Sequence, residues 1–301
     1  MKQVVLALTI WLLPVAAAAF DIQQVQPGIW AIEGPAEQRS PENLGNNATF
    51  GLIETPEGAV LVDPGGTWAG AEALHEAVRG LTDQPVTVVI NTGGQDHRWL
   101  GNGYWAAQGA TIIASAAAVA DQTARASMQL TALSILVGEA AAGTDPVFAD
   151  TVFQDSHSLT LGGRRIEIAH PAAAHTPGDS YVWLPDSGVI FTGDIVYVGR
   201  IAGVMEFSNS AAWLEAFAAI EALDPAHLVP GHGPATTLAT AQADTRDYLV
   251  NLRARIGEHI DAGSDIIGSV EVDQSAFAYL DQFEALARRN AQTVFEQMEW
   301  E

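Results

Sequence analysis

The chain has 301 residues, of which 36 are acidic against 13 Lys and Arg, a formal charge of −23. A field of that sign repels phosphates at long range, so nucleic acid and anionic membrane surfaces are excluded as expected partners, and a small-molecule substrate is the expectation instead. There is no cysteine, which rules out disulfides, thiolate metal ligands and a lipid-modified Cys.

In chain order, "MKQVVLALTIWLLPVAAAAF" carries one Lys, about a dozen apolar residues and an A-x-A ending at Ala17 to Ala19. It reads as a cleaved signal peptide over 1–19, too short in its apolar run to span a bilayer. The expectation is a periplasmic or secreted protein with no membrane attachment after cleavage. With Lys2 removed, 12 Arg face 36 acidic residues, 12 − 36 = −24. Residues 20–301 show no low-complexity linker, composition break or fixed-period repeat, and are expected to form a single domain.

The stretch "NATFGLIETPEGAVLVDPGG" predicts a hairpin around "TPEG", its second strand ending at Asp63. Leu74, Val78 and Leu81 then share one helical face. "VTVVI" is apolar and β-branched throughout, as a strand covered on both sides should be. Further strands are expected at "ATIIA", "RRIEIA", "YVWL", "GVIFTG" and "HLVP", with helices around Trp213 to Ile220 and through the last sixty residues. The alternation predicts an α/β layered domain. Ser115 to Gly143 is Ala-rich, with Met128, Leu130, Leu133, Leu136 and Val137 giving an apolar helix-like surface; it is expected to pack on the body of the domain, or else to overhang a site as a lid.

Four of these strands run straight into loops holding His or Asp: "VVINTGGQDH", "IEIAHPAAAHTPGD", "GVIFTGD" and "HLVPGHG". Ligands gather beyond strand ends in such folds, which makes Asp96, His97, His175, Asp194 and His232 candidate neighbours. A His beside a Gly, or an Asp in a turn, means little alone; the set in this order means much more.

The order of "NTGGQDHRWLGN", "AHTPGDSYVWLP", "FTGDIVY" and "LVPGHGP", with "VDPGG" upstream, resembles the metallo-β-lactamase superfamily, which includes glyoxalase II and zinc β-lactamases. The resemblance covers most of residues 20–301 and implies an αββα sandwich with a metal site at the joined edge of two sheets. The superfamily loop H-x-H-x-D-H is met here by Gly93, Gln95, Asp96 and His97, so two first-site histidines are replaced. The second-site set implied by the resemblance is intact: Asp96, His97 and His232, with Asp194 as the bridging carboxylate.

Glycine offers no donor atom, and a Gln amide is a poor stand-in for imidazole toward Zn²⁺. One divalent metal is therefore expected, Zn first, with Fe or Mn also compatible with an N₂O₂ set. The vacancy left by Gly93 and Gln95 is expected to hold water or a substrate group. Asp96 and His175 are the candidate catalytic residues, the latter as proton carrier near the metal. Arg98 is a candidate substrate contact or the partner of an acid. Trp99 is expected beneath the loop, and Asp63 and Asp179 as residues that orient the ligands. The implied activity is one-metal hydrolysis of an ester, thioester or lactam; the alternative is a non-catalytic relative that binds a metal or small ligand.

Overall fold

The computed structural model describes residues 20–301, so the expected signal segment lies outside the described residues. The first sheet takes its strands in sequence order: β1 (Asp21–Gln26), β2 (Ile29–Glu33), β3 (Thr49–Thr55), β4 (Gly58–Val62), β5 (Val86–Ile90), β6 (Thr111–Ser115) and β7 (Thr151–Phe153). Pairing is antiparallel as far as β4 and parallel from β4 to β7. The crossovers that a parallel pairing demands carry α1 (Trp68–Arg79), α2 (Asn102–Ala107) and α3 (Ala116–Val137). The second sheet runs β12 (His227–Val229), β11 (Val189–Phe191), β10 (Tyr181–Leu184), β9 (Arg164–Ala169) and β8 (Ser156–Leu161). Among the described residues its only parallel pair is β11 with β12, joined through α4 (Ser210–Glu221).

Period-two alternation decides which side chain enters which layer. In β4, Val60 and Val62 enter the core between the sheets, where Ile166, Ile168, Val182 and Phe191 meet them. Ala59 and Leu61 point the other way, onto Leu74 and Val78 of α1 and Trp105 of α2. On the outer face of the second sheet, Trp183, Ile190 and Leu228 pack against Trp213 and Phe217 of α4. The chain then runs through α5 (Leu238–Ala241), α6 (Asp247–Asp261), α7 (Ile266–Ser269) and α8 (Phe283–Met298), and Leu249, Leu252, Val294 and Phe295 complete that layer. The layers are thus helix, sheet, sheet, helix, the expected αββα sandwich.

Local sequence explains the helix starts. The Thr67 side chain accepts from Gly70 N at the head of α1, and Ser115 accepts from Ala118 N at the head of α3, each satisfying one of the first unpaired N–H groups. The expected hairpin is β3 and β4, paired from Gly51 with Val62 to Thr55 with Gly58. The Ser115 to Gly143 stretch is largely α3. Its Leu133 and Val137 are buried against Trp99 and Leu100, so packing accounts for that part of its apolar surface, while Met128, Ile135 and Leu136 are exposed. Among the described residues no helix is long and apolar enough to cross a membrane.

Candidate metal centre

The loops after β4, β5, β9, β11 and β12 meet at one edge of the sandwich, and each brings part of the site. The loop after β5 is fixed by its backbone. Thr92 N donates to Asp63 Oδ1 at 2.8 Å, Gly94 N to Thr176 Oγ1 at 3.1 Å. From α3, Gln122 Nε2 donates to Gly93 O at 3.0 Å and Gln129 Nε2 to Gly94 O at 2.8 Å. A single 3₁₀ turn, Asp96–Arg98, then aims Asp96 and His97 inward. After β11, Gly193 has φ of 51°. A Cβ there would overlap the Thr92 side chain, so glycine is required just before Asp194.

His97, Asp194 and His232 converge: one donor atom from each lies within 4.8 Å of the others, and all three residues are buried. His97 Nε2 is 3.3 Å from Asp194 Oδ2, and His232 Nε2 is 3.2 Å from Asp194 Oδ1. His97 Nε2 and Asp194 Oδ2 have no hydrogen-bond partner although both atoms are buried. Polar groups at that depth are normally satisfied; with the His97 proton on Nδ1, which lies 3.2 Å from Asp96 Oδ1, Nε2 and Asp194 Oδ2 are facing lone-pair atoms that a cation between them would satisfy. Two imidazoles and one carboxylate are a donor set that suits Zn²⁺ and leaves a coordination position open. The residues therefore fit one divalent metal.

Charge reinforces this. Burial resists ionisation of Asp194, but Arg98 and then His97 outweigh it and hold the carboxyl well below its ordinary range. Burial, and next to it the Arg200 charge, push His232 well below the usual histidine value, so its ring is neutral. Tyr197 stacks on that ring with centroids 4.7 Å apart.

Asp96 is placed differently from the other three. Its Oδ1 accepts from Arg39 and from the backbone N–H of His97. Arg39 Nη2 also lies 2.6 Å from His97 Nδ1. Burial opposes the Asp96 charge, yet Arg39 and His97 more than compensate and keep it ionised. The carboxylate thus faces a resident cation on the far side of the His97 ring.

His175 lines the cavity beside His97 and His232 but stands outside the three-residue cluster. Its Nδ1 lies 2.8 Å from Gly203 O, which fixes Nδ1 as the donor and leaves Nε2 as an acceptor. Burial pushes its pKa down to about 4.

Arg98 is not at the substrate. Fully buried, it donates to Asp63 Oδ2 at 2.8 Å, Asp194 Oδ1 at 2.7 Å, and the carbonyls of Thr49 and Gly231 at 3.2 and 2.7 Å. Of its two sequence readings, the partner of an acid is the one realised. The expected vacancy at Gly93 is not there either: a Cβ on Gly93 would overlap Asp179 Oδ1, and that carboxyl is anchored by the backbone N–H and hydroxyl of Thr176. The Gln95 half of the vacancy survives, since Gln95 lines the cavity with its Oε1 unpartnered. Trp99 is buried beneath the loop, stacked on Phe148 and bonded through Nε1 to Gln129. Asp63 and Asp179 each hold a loop residue, Thr92 and Thr176, as orienting residues should.

Sequence reasoning missed Arg39, Arg200, Gln122 and Gln129. None sits in a spaced motif; the one signal was the scarcity of basic residues, which makes any arginine in a Gly- and Asn-rich loop worth following.

A family model described as the metallo-beta-lactamase superfamily matches residues 45–232, more than half of the chain and all the loops of the site. The chain belongs to the metallo-beta-lactamase superfamily. Solved structures agree on this fold. A metallo-beta-lactamase from Pontibacter korlensis is 19% identical with a TM-score of 0.64, over 77% of this chain and 100% of that one. The sec-alkylsulfatase Pisa1 from Pseudomonas sp. is 18% identical with a TM-score of 0.70, over 93% of this chain but only 50% of its own length. The metallo-beta-lactamase FIM-1 from Pseudomonas aeruginosa, solved in a mono-zinc form, is 18% identical with a TM-score of 0.59, over 77% of this chain and 96% of that one.

Proposed function

We propose that the protein is a periplasmic or secreted hydrolase that uses one divalent metal, zinc in the first instance, against an ester, thioester or lactam bond. The observation that carries this reading is the pair of unpartnered buried atoms, His97 Nε2 and Asp194 Oδ2, facing one another with His232 alongside. His97, Asp194 and His232 would hold the metal. Bound there, it would polarise a carbonyl and acidify water.

Three features argue for one metal over two. Arg98 already engages Asp194 Oδ1, which leaves that carboxylate less free to serve two ions. Asp179 fills the space where a Gly93 side chain would reach. Arg39 takes up Asp96.

The remaining steps belong to the protein. His175, neutral and held by Gly203, presents Nε2 at the cavity wall, where it can take a proton from water and return it to a leaving group. Asp96 and Arg39 position the His97 ring. That the cavity opens onto His97, His175 and His232 favours a catalyst over a closed, structural metal site. The test is elemental analysis with hydrolysis of a thioester, lactone and lactam panel, on wild type and Asp194→Asn. One zinc per chain and turnover that both vanish in Asp194→Asn support the reading. Two metals, or none, would overturn it.

A further inference from the structure

Ten buried side-chain polar atoms lack a hydrogen-bond partner among the described residues, and six of them belong to residues lining the cavity in front of the metal cradle: Arg39 Nε, Asn47 Nδ2 and Oδ1, Gln95 Oε1, His97 Nε2 and Arg200 Nε. The cradle itself accounts for His97. Of the others, Asn47 and Arg200 also line a second lobe, which shares His232 with the first and holds the carboxylates of Glu33 and Asp281. Asn47 is 1% exposed, yet neither end of its amide is bonded.

The main lobe is the cationic one. Arg39, Arg200 and Arg289 line the main lobe, of about 150 Å³, and no carboxylate does. Arg39 is committed to Asp96. Arg200 and Arg289 have no carboxylate within 4 Å among the described residues. Arg200 Nη1 makes only long contacts of 3.4 Å to Ala36 O and His232 Nδ1, and Arg289 Nη2 touches Met205 Sδ at 3.2 Å. A largely buried guanidinium with no carboxylate within 4 Å, in a chain with nearly three times as many acids as bases, is costly unless a ligand completes it. Guanidinium and amide N–H groups beside a reaction centre match one chemistry, an oxyanion bound by charge-assisted hydrogen bonds.

We propose that Arg200, Arg289 and Asn47 form an anion subsite beside the metal cradle, so that the substrate is an ester, thioester or lactam carrying an ionised carboxylate. For the bond that reacts, the inference rests on the hydrolase reading; for the anion it does not. Arg200 and Asn47 hold the acid group in the main lobe, away from Glu33 and Asp281 in the second, and Arg289 meets it at the mouth. Leu286 and Met205, on the same wall, leave room for a short apolar stem between the acid and the reacting group.

The test separates the two readings. Succinate and its neutral diamide are titrated calorimetrically into metal-free full-length protein, wild type, Arg200→Gln, Arg289→Gln and the surface control Arg255→Gln. The expected result is succinate binding that weakens about tenfold or more in Arg200→Gln, less in Arg289→Gln and not in Arg255→Gln, with no binding of the diamide. Equal succinate affinity in wild type and both cavity variants, or equal binding of the diamide, overturns the subsite. Because Arg289 is exposed, its variant keeps the test valid if Arg200→Gln misfolds. Arg200-dependent succinate binding without hydrolysis by the zinc-loaded protein would leave the subsite standing and remove the hydrolase. Turnover of neutral esters with no arginine-dependent succinate binding would do the reverse.

Discussion

Nη2 of Arg98 sits 2.7 Å from Oδ1 of Asp194, and Nη1 sits 2.8 Å from Oδ2 of Asp63. One fully buried cation therefore ties together the acids at the ends of β4 and β11 and fixes how much of Asp194 is left for a metal. Removing it strands two carboxylates away from water, which costs about 3–5 kcal/mol. Arg98→Leu should be destabilised by that amount in urea unfolding of metal-free protein, and Arg98→Lys should recover only part, because a single ammonium cannot span both acids and both carbonyls. Wild-type stability in Arg98→Leu would mean that the pairs do not form.

Metal content should follow the geometry of the cradle. His232→Ala should lose at least tenfold in zinc affinity, whereas His175→Ala should bind zinc as wild type does and lose turnover. Competition with a chromogenic chelator checks this. Equal losses would place His175 among the ligands.

Restoring the superfamily loop should fail. The double variant Gly93→His with Gln95→His should still bind one metal, because an imidazole at 93 collides with Asp179, which the Thr176 backbone and hydroxyl hold in place. Overpacking of this kind costs roughly 1–3 kcal/mol, visible as a lower Tm. Two zinc ions per chain in the double variant would show that Asp179 moves aside.

Arg39→Ala should act on metal affinity in the opposite sense to the ligand variants. It removes a positive charge beside His97 and frees Asp96 to turn toward a cation, so zinc should bind several-fold tighter. The same titration checks it. Weaker binding would mean that Arg39 is needed to hold His97 in place.

Stability should fall in mild acid. His175 has a folded pKa of about 4 through burial, below the ordinary 6.5, so between those values the unfolded chain binds the proton and the folded chain does not. Folded stability is therefore complete above pH 6.5 and declines as pH falls toward 4, by roughly 3 kcal/mol from this group alone. His232, shifted in the same direction, adds to the decline. Urea midpoints of metal-free protein between pH 7 and 4 measure it, and His175→Gln should flatten the slope.

The layered fold and the rim of strand-end loops were legible in the sequence because both are written locally, in apolar periodicity and in His and Asp placed directly after β-branched runs. His97, Asp194 and His232 come together for that reason. What was not legible depends on through-space neighbours. Nothing near Arg39 in sequence announces Asp96, and Asp179, 86 positions from Gly93, decides that no vacancy exists there. Arg98 read equally well as a substrate contact or as the partner of an acid, because only burial between two carboxylates settles that choice.

The charge map has a kinetic consequence. Seen from afar the molecule repels anions, while its cavity wall presents unneutralised guanidinium groups at close range. Ions at physiological strength damp forces beyond about 8 Å and leave hydrogen-bonded contacts largely intact. Added salt should therefore speed the capture of a small anion while barely changing how long it stays, the opposite of the slowing seen where charge steers a ligand inward. Such a surface admits an anion that reaches the mouth and turns away bulkier polyanions, whose charges extend beyond it.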